Sequence, residues 1–316
     1  MRNQPLNQII LQQLQHRCVQ DLAWCVFSPP LVDAIDGHCR LWPELTPEIL
    51  TQLRVLDENP IKLKQWLSAS TSPRLGIIFE RYWQYWWTTN TQREQWHFNL
   101  QINKDGRTLG ELDALEWRAN VATLHHYELA VKFYLQVPSE SLGLTPDQNC
   151  PHRWVGPNLN DRFDIKWPQM RDRQLTALKD PARAPDLSWA PETVVTSSVT
   201  RGRLFTPLFA FPELATQTTA PELCPDYETG YWLHLDDWQR LDDGHWRILD
   251  RQEWFAPLHG EDRQELTTHE ETYLALIEHF RHYRQPLQVI LTTDTLVGWQ
   301  EYRRYFVVPS GWPSNR

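Results

Sequence analysis

Three runs with strand periodicity crowd into the stretch between Trp96 and Val137, and the links between them are too short for a helical crossover. Trp96 to Ile102 alternates, with Trp96, Phe98, Leu100 and Ile102 on one face. Leu109 to Trp117 alternates again and puts Leu109, Glu111, Asp113 and Leu115 together, while His126 to Val137 is the most apolar of the three. Asn103-Lys-Asp-Gly106 supplies the Asp-Gly turn of a hairpin. Strands linked this tightly pair antiparallel, so the spacing predicts a meander.

The flanks fix the class. Before the meander, Arg74 to Trp87 is apolar nearly all round, the pattern of a buried helix, and it carries Glu80, a carboxylate that needs a partner there. After it, Asp161 to Lys179 reads as a helix interrupted at Pro168, and Thr193 to Thr200 as a strand that can add in parallel because it is reached through that helix. The order helix, three strands, helix, strand predicts an α/β core with a mixed sheet. Residues 1–58 read as a helical N-terminal segment, with Thr46 capping a helix that starts at Pro47. Residues 59–200 hold the core. Residues 201–316 read as a smaller α+β unit, in which Tyr231 to Leu241 and Trp246 to Trp254 are expected to pair around Asp242-Asp-Gly244, and Thr268-His-Glu-Glu271 opens a helix as a capping box.

Composition narrows the function classes. The chain has 316 residues, 41% of them hydrophobic, and a net charge of −9, which excludes a disordered chain and one that coats nucleic acid through bulk charge. No apolar stretch is long enough for a membrane span, and Met1 to Gln20 is polar and Gln-rich, so a cytoplasmic protein is expected. The five cysteines form no CxxC pair and are expected to be reduced. Seventeen Trp supply core and interface area, and only six Lys stand against twenty-five Arg, so a lysine within an apolar strand is conspicuous.

Five residues form the informative set: Glu80, Glu111, Asp113, Glu128 and Lys132. Strand residues two apart share a face, so Glu111 projects with Asp113, and Glu128 with Lys132. If the strands are neighbours, these charges gather on one side of an otherwise apolar sheet, which a divalent cation would compensate. Asp and Glu oxygens hold Mg²⁺ or Mn²⁺ while leaving room for water and a phosphate oxygen, and a nearby lysine orients that water. Ion pairing alone also accounts for each residue singly: Glu128 and Lys132 at a strand end, Glu80 with Arg74 or Arg81.

Gly110-Glu-Leu-Asp113, Glu128-Leu-Ala-Val-Lys132 and the helix with Glu80 together resemble the PD-(D/E)XK nuclease superfamily over about residues 70–200. More closely, the chain resembles a bacterial family, a domain of unknown function, assigned to that superfamily. Three stretches carry this match: Arg74-Leu-Gly-Ile-Ile-Phe-Glu-Arg-Tyr82; Trp154-Val-Gly-Pro-Asn158 with Asp161-Arg162; and Phe306-Val-Val-Pro309 with Gly311-Trp-Pro313. The resemblance implies a restriction-endonuclease-like αβββαβ core. It implies Asp113 and Glu128 as metal ligands with Glu111 beside them, Glu80 as a helix carboxylate, Lys132 as the catalytic lysine, and Lys166 and Gln174 as further polar site residues. Here Glu and Lys are separated by three residues rather than one, so the lysine stands one pleat further along.

The expected function is Mg²⁺- or Mn²⁺-dependent hydrolysis of phosphodiesters, in DNA rather than RNA, with phosphates approaching Lys166, Arg171, Arg173 and Gln174. Arg162, Lys179 and Arg183 extend this basic series, interleaved with acids including Asp180. The alternative is a catalytically degenerate nuclease fold that binds nucleic acid, or a protein partner through the Trp-rich C-terminal unit. Walker A, GxGxxG and GxSxG motifs are absent from the sequence, and Cys150-Pro-His152 lacks the further ligands of a metal site.

Overall fold

The computed structural model describes residues 8–33, 38–70, 72–91, 95–104, 107–144, 152–179, 191–211 and 222–314. The Asp105-Gly106 turn, Cys150, Asp180 and Arg183 lie outside these described residues. The chain divides into two compact units: Met1–Val131 with Ile165–Arg201 and Glu222–Asp226, and Lys132–Asp164 with Gly202–Pro221 and Tyr227–Arg316. Each is α/β with a mixed sheet. Among the described residues no helix is long and apolar enough to cross a membrane. Cys18, Cys25, Cys39 and Cys224 are free.

In the first unit, helices α1 (Gln8–Leu11), α2 (Arg17–Phe27), α3 (Pro47–Glu58), α4 (Ile61–Ser68) and α5 (Leu75–Asn90) accompany strands β1 (Cys39–Arg40), β2 (Trp96–Lys104), β3 (Arg107–Arg118), the start of β4 (Thr123–Pro138) and the start of β6 (Thr193–Pro207). Thr46 caps α3 by accepting from the Ile49 amide, as its sequence predicts. The Asp57 carboxylate on α3 accepts the Gln15 and His16 amides at 2.6 and 2.8 Å, ahead of α2. Strands β2, β3 and β4 form the expected antiparallel meander. Strand β6 lies next to β4 in the sheet and is paired on its other side with β1 in parallel. The Thr193 amide bonds to Ala122 O just ahead of β4, so β4 and β6 start at the same end.

Aromatic packing sets α5 against the meander. Trp87 stacks on Trp96 with centroids 4.4 Å apart, Trp96 stacks on Phe98, and Tyr127 of β4 closes the group 5.1 Å from Trp87. Such rings contribute large buried area together with a preferred geometry. Arg201, fully buried on β6, has no acidic partner among the described residues: its guanidinium donates to the carbonyls of Thr200, Val26 and Leu41 at 2.8, 2.7 and 3.2 Å. One of these, Val26 O, lies in the last turn of α2, where a cation opposes the helix dipole. Burial still lowers its pKa to about 9.

The second unit contains the end of β4, β5 (His152–Val155), the start of α6 (Phe163–Gln169), the end of β6, β7 (Glu228–His234), β8 (His245–Ile248), β9 (His259–Gly260), β10 (Thr267–Thr268), α7 (His269–His282), β11 (Leu287–Thr295) and β12 (Gly298–Val308). The capping box at Thr268 and Glu271 opens α7. The expected pairing of 231–241 with 246–254 does not form. Instead β7 pairs in parallel with β6 and β12, and β8 pairs with β10 and β11. The cause is the segment Leu235–Arg240, which winds into a 3₁₀ helix and buries Trp238 against Trp246, centroids 4.7 Å apart. Its indole donates to His269 O at 3.2 Å, and a hairpin strand would pull it out of this core.

Within this unit Gly202 has φ 151°, and a Cβ there would lie 1.8 Å from Lys132 O. Gly202→Ala therefore demands both a left-handed backbone and a backbone displacement. The expected cost is about 3 kcal/mol or more, read as a lowered thermal midpoint of the full chain.

Candidate functional site

Helix α5 and strands β2, β3 and β4 bring Glu80, Glu111, Asp113 and Glu128 into electrostatic contact in the first unit. The β3–β4 backbone ladder ends at Ala114 and Tyr127. Beyond it the Asp113 carboxylate takes over, accepting the Leu129 amide at 2.7 Å. A side chain thus replaces a ladder acceptor where the pairing stops.

Asn99 of β2 ties the helix carboxylate to a strand carboxylate. Its amide nitrogen donates to Glu80 Oε2 at 3.2 Å and to Glu111 Oε1 at 3.1 Å, while its oxygen accepts from Gln84 of α5 at 2.9 Å. Asn99 has φ 52°, a conformation asparagine tolerates better than most residues. The expected alternatives for Glu80 do not occur: Arg81 instead lies over the Trp66 ring and donates to the Trp66 carbonyl.

Glu128 is fully buried and bonded through both oxygens. Oε1 lies 2.8 Å from His126 Nε2, and Oε2 accepts from the Gln174 amide at 2.7 Å. The Gln174 oxygen in turn accepts from Lys166 Nζ at 3.1 Å. Lys166 lies on α6, and Gln174 ends the π-helical turn Met170–Gln174 that follows it. His126–Glu128–Gln174–Lys166 is therefore one hydrogen-bonded chain.

The electrostatics are those of crowded acids. Burial lifts the Asp113 pKa to about 7, and Glu128 and Glu111 push the same way. Burial followed by Asp113 repulsion lifts Glu80 to about 7. Burial lifts Glu128 to about 8 against the pull of the Lys166 ammonium. His126 moves oppositely, lowered by burial to about 4, so it is neutral at pH 7. At neutral pH the group holds protons that ordinary carboxylates would have released.

Lys132 is not brought to this group. It belongs to the second unit, where it pairs with Asp161, whose other oxygen accepts from Tyr134 at 3.1 Å. The lysine of the carboxylate group is Lys166. Among the expected phosphate contacts, Arg171 is paired with its neighbour Asp172 at 2.7 Å, while Arg173 is exposed. Three residues of the site carry no role in the sequence reading: Asn99, Gln84 and His126. The first sits on the polar face of an alternating strand, where a lone asparagine carries no distinguishing signal. The third is a histidine two residues from Glu128, on the same strand face.

The donor set tests the fit to a cation. It consists of hard oxygens, as Mg²⁺ and Mn²⁺ require, with no thiolate. Among the described residues, Glu80 Oε1 and Glu111 Oε2 take no hydrogen bond from the protein, and the Asp113 carboxylate lies within hydrogen-bonding reach of Glu128. No group of three His, Cys, Asp or Glu side chains among the described residues is arranged as a ready cation cage. Mg²⁺ is commonly held by one or two carboxylates and retained waters, so Asp113 with one neighbour suffices, and a closed zinc-type site does not fit.

Removing the repulsion has a signed consequence. The three carboxylates have folded pKa values above their ordinary range, so the stability they contribute is present at low pH and lost as pH rises through about 7 to 8. Neutral His126 acts only below about pH 6.5, where stability falls as the imidazole is forced to charge. Between pH 6.5 and 9 the thermal midpoint is expected to fall with rising pH, and Asp113→Asn should flatten that slope. An unchanged slope in the variant would remove Asp113 from the titrating group.

The profile of a family described as "Domain of unknown function (DUF1853)" matches residues 20–308. No curated protein and no solved structure matches the chain.

Proposed function

The chain belongs to the DUF1853 family, and we propose that it is a metal-dependent phosphodiesterase of the PD-(D/E)XK type acting on DNA. The observation that carries this reading is the convergence of Glu80, Asp113 and Glu128 from one helix and two strands, with pKa values lifted to about 7, 7 and 8. Strongly perturbed acids gathered on different elements are the electrostatic signature of a site rather than of a solvated surface. The order α5, β2, β3, β4, α6, β6, with the short strand β5 inserted before α6, supports the same reading, as the order of a restriction-endonuclease-like core carrying an insertion.

Asp113 and Glu128 are the cation ligands in this proposal, with Glu80 and Glu111 completing the acidic wall. A bound Mg²⁺ or Mn²⁺ supplies acidified water and neutralises charge on the phosphate. The chain's own residues do the rest. Gln174 and His126 hold both oxygens of Glu128, fixing the direction of its free lone pairs. Lys166, rather than Lys132, supplies the ammonium that orients the attacking water and meets the phosphate. A carboxylate with a pKa near 7, such as Glu80, accepts the proton released as water forms its bond to phosphorus, and the ester oxygen, leaving as the P–O bond breaks, takes a proton from solvent water to depart as an alcohol. Arg173 is the exposed cation left for backbone phosphates of the substrate.

The test uses the purified full chain with Mg²⁺ or Mn²⁺ and a panel of single-stranded, duplex, nicked and branched DNA and RNA. Asp113→Asn and Lys166→Ala are expected to lower cleavage by about a hundredfold or more, while Lys132→Ala stays within about threefold of the parent. The reverse ranking of the two lysines overturns the assignment of Lys166. Calorimetric titration with Mn²⁺ distinguishes the alternative: no cleavage and no Mn²⁺ binding leaves a neutralised network on a binding module.

A further inference from the structure

Two of the sequence stretches singled out above take no part in the carboxylate group, Trp154-Val-Gly-Pro-Asn158 and Phe306-Val-Val-Pro309 with Gly311-Trp-Pro313. They meet in the second unit and, together with the last turn of α7, line a cavity of about 580 Å³. Its apolar wall is formed by Leu235, Ile277, Phe280 and Trp312, the first three only half-buried, so they keep apolar surface open to a ligand. Asn158, Gln285 and Ser310 add polar groups at the rim, and Arg281 and Arg284 bring two guanidiniums. Apolar walls with a few convergent polar groups and this volume are the composition of a small-molecule site.

The cavity is built before anything enters it. The Trp312 indole donates to Pro157 O at 3.3 Å, and its own carbonyl accepts from His234 at 2.7 Å, which ties the terminal stretch to the 157 loop. That loop is closed by Gly156 N to Asp161 O at 2.8 Å and carries Leu159 at φ 62°, a strained conformation for a bulky residue and one that recurs at ligand sites. On the far wall His279 bonds Gln285 O at 2.9 Å and fixes the chain just beyond α7, beside Arg284.

The charges select the ligand. Arg281 is paired with Glu278 at 2.8 Å and balances the negative end of α7, so its charge is partly spent. Arg284 follows the helix, is exposed and has no ion pair among the described residues. The Ser310 hydroxyl donates to Asp236 at 2.8 Å. The site thus offers a free guanidinium fork for an oxyanion, an apolar wall for a flat body, and amides able to pair with a heteroaromatic edge. We propose that this cavity binds a nucleoside 5′-phosphate, with the phosphate on Arg284 and Arg281 and the base against Phe280 and Ile277. It shares no residue with the carboxylate group, so it stands or falls separately from the nuclease reading.

Isothermal titration of the full chain in EDTA tests it, using adenosine 5′-monophosphate, adenosine, inorganic phosphate and a 5′-phosphorylated dinucleotide as probes. The mononucleotide is expected to bind at least about tenfold more tightly than adenosine or phosphate alone, and Arg284→Gln to weaken it by about tenfold with the circular dichroism spectrum unchanged. Equal or tighter binding of the dinucleotide assigns the site to a strand end, and weaker binding assigns it to the free nucleotide. The proposal is overturned if the mononucleotide shows no heat at millimolar concentration, if adenosine binds as well as its phosphate, or if Arg284→Gln together with Arg281→Gln leaves its affinity unchanged.

Discussion

Carboxylates brought close together where water is scarce cannot all remain ionised, and the first unit is arranged around that constraint. Each acid is met by a neutral donor rather than by a full positive charge. Asp113 receives a backbone amide, Glu80 and Glu111 share the Asn99 amide, and Glu128 is held between His126 and Gln174. The Lys166 ammonium pulls on Glu128 through its charge, and its hydrogen bond goes to Gln174 between them. Neutral donors orient carboxylates without cancelling their charge. A direct salt bridge would have relieved the repulsion that keeps these acids protonated. The same unit tolerates the buried Arg201 by the mirror strategy, surrounding the guanidinium with carbonyl oxygens and, among the described residues, no carboxylate.

Much of this was legible from residue order, because period and turn chemistry are local. The meander, the buried helix with Glu80 and the capping boundaries follow from spacing alone, and so does the acidic company of Asp113. Alternation, however, specifies only which way a side chain leaves its strand. It places Glu128 and Lys132 on one face without saying which neighbours each position meets. Glu128 is held by Gln174, from the turn after α6 in its own unit, whereas Lys132 lies past Val131, the last β4 residue of that unit, and finds Asp161. The π-helical turn after Pro168 that aims Gln174 has no sequence signature, since its extra residue per turn depends on packing. The failed pairing of 231 with 254 has a similar origin. Local alternation favoured strands, and the burial of Trp238 outweighed it.

The preference for arginine over lysine also acquires a structural meaning. Arg304, nearly fully buried, clamps Glu301 through Nε and Nη2 at 2.8 and 2.6 Å and still reaches the carbonyls of Trp254 and Ala256. One planar fork satisfies four acceptors, which an ammonium with three donors cannot do in that geometry. Arg201 uses the same property on carbonyls alone. Lys132 and Lys166, by contrast, are only half-buried and each serves one side-chain acceptor, Asp161 and Gln174.

The stack of Trp87 on Trp96 is an optical element as well as a packing one. Two indoles 4.4 Å apart and 15° from parallel couple their excited states. One ring rides on the helix that carries Glu80, and the other on the strand that carries Asn99. Any slippage between that helix and strand changes the coupling before it changes the amount of helix or sheet. The near-ultraviolet dichroism of the chain is thus a built-in gauge of how the helix carboxylate is seated, readable without a label.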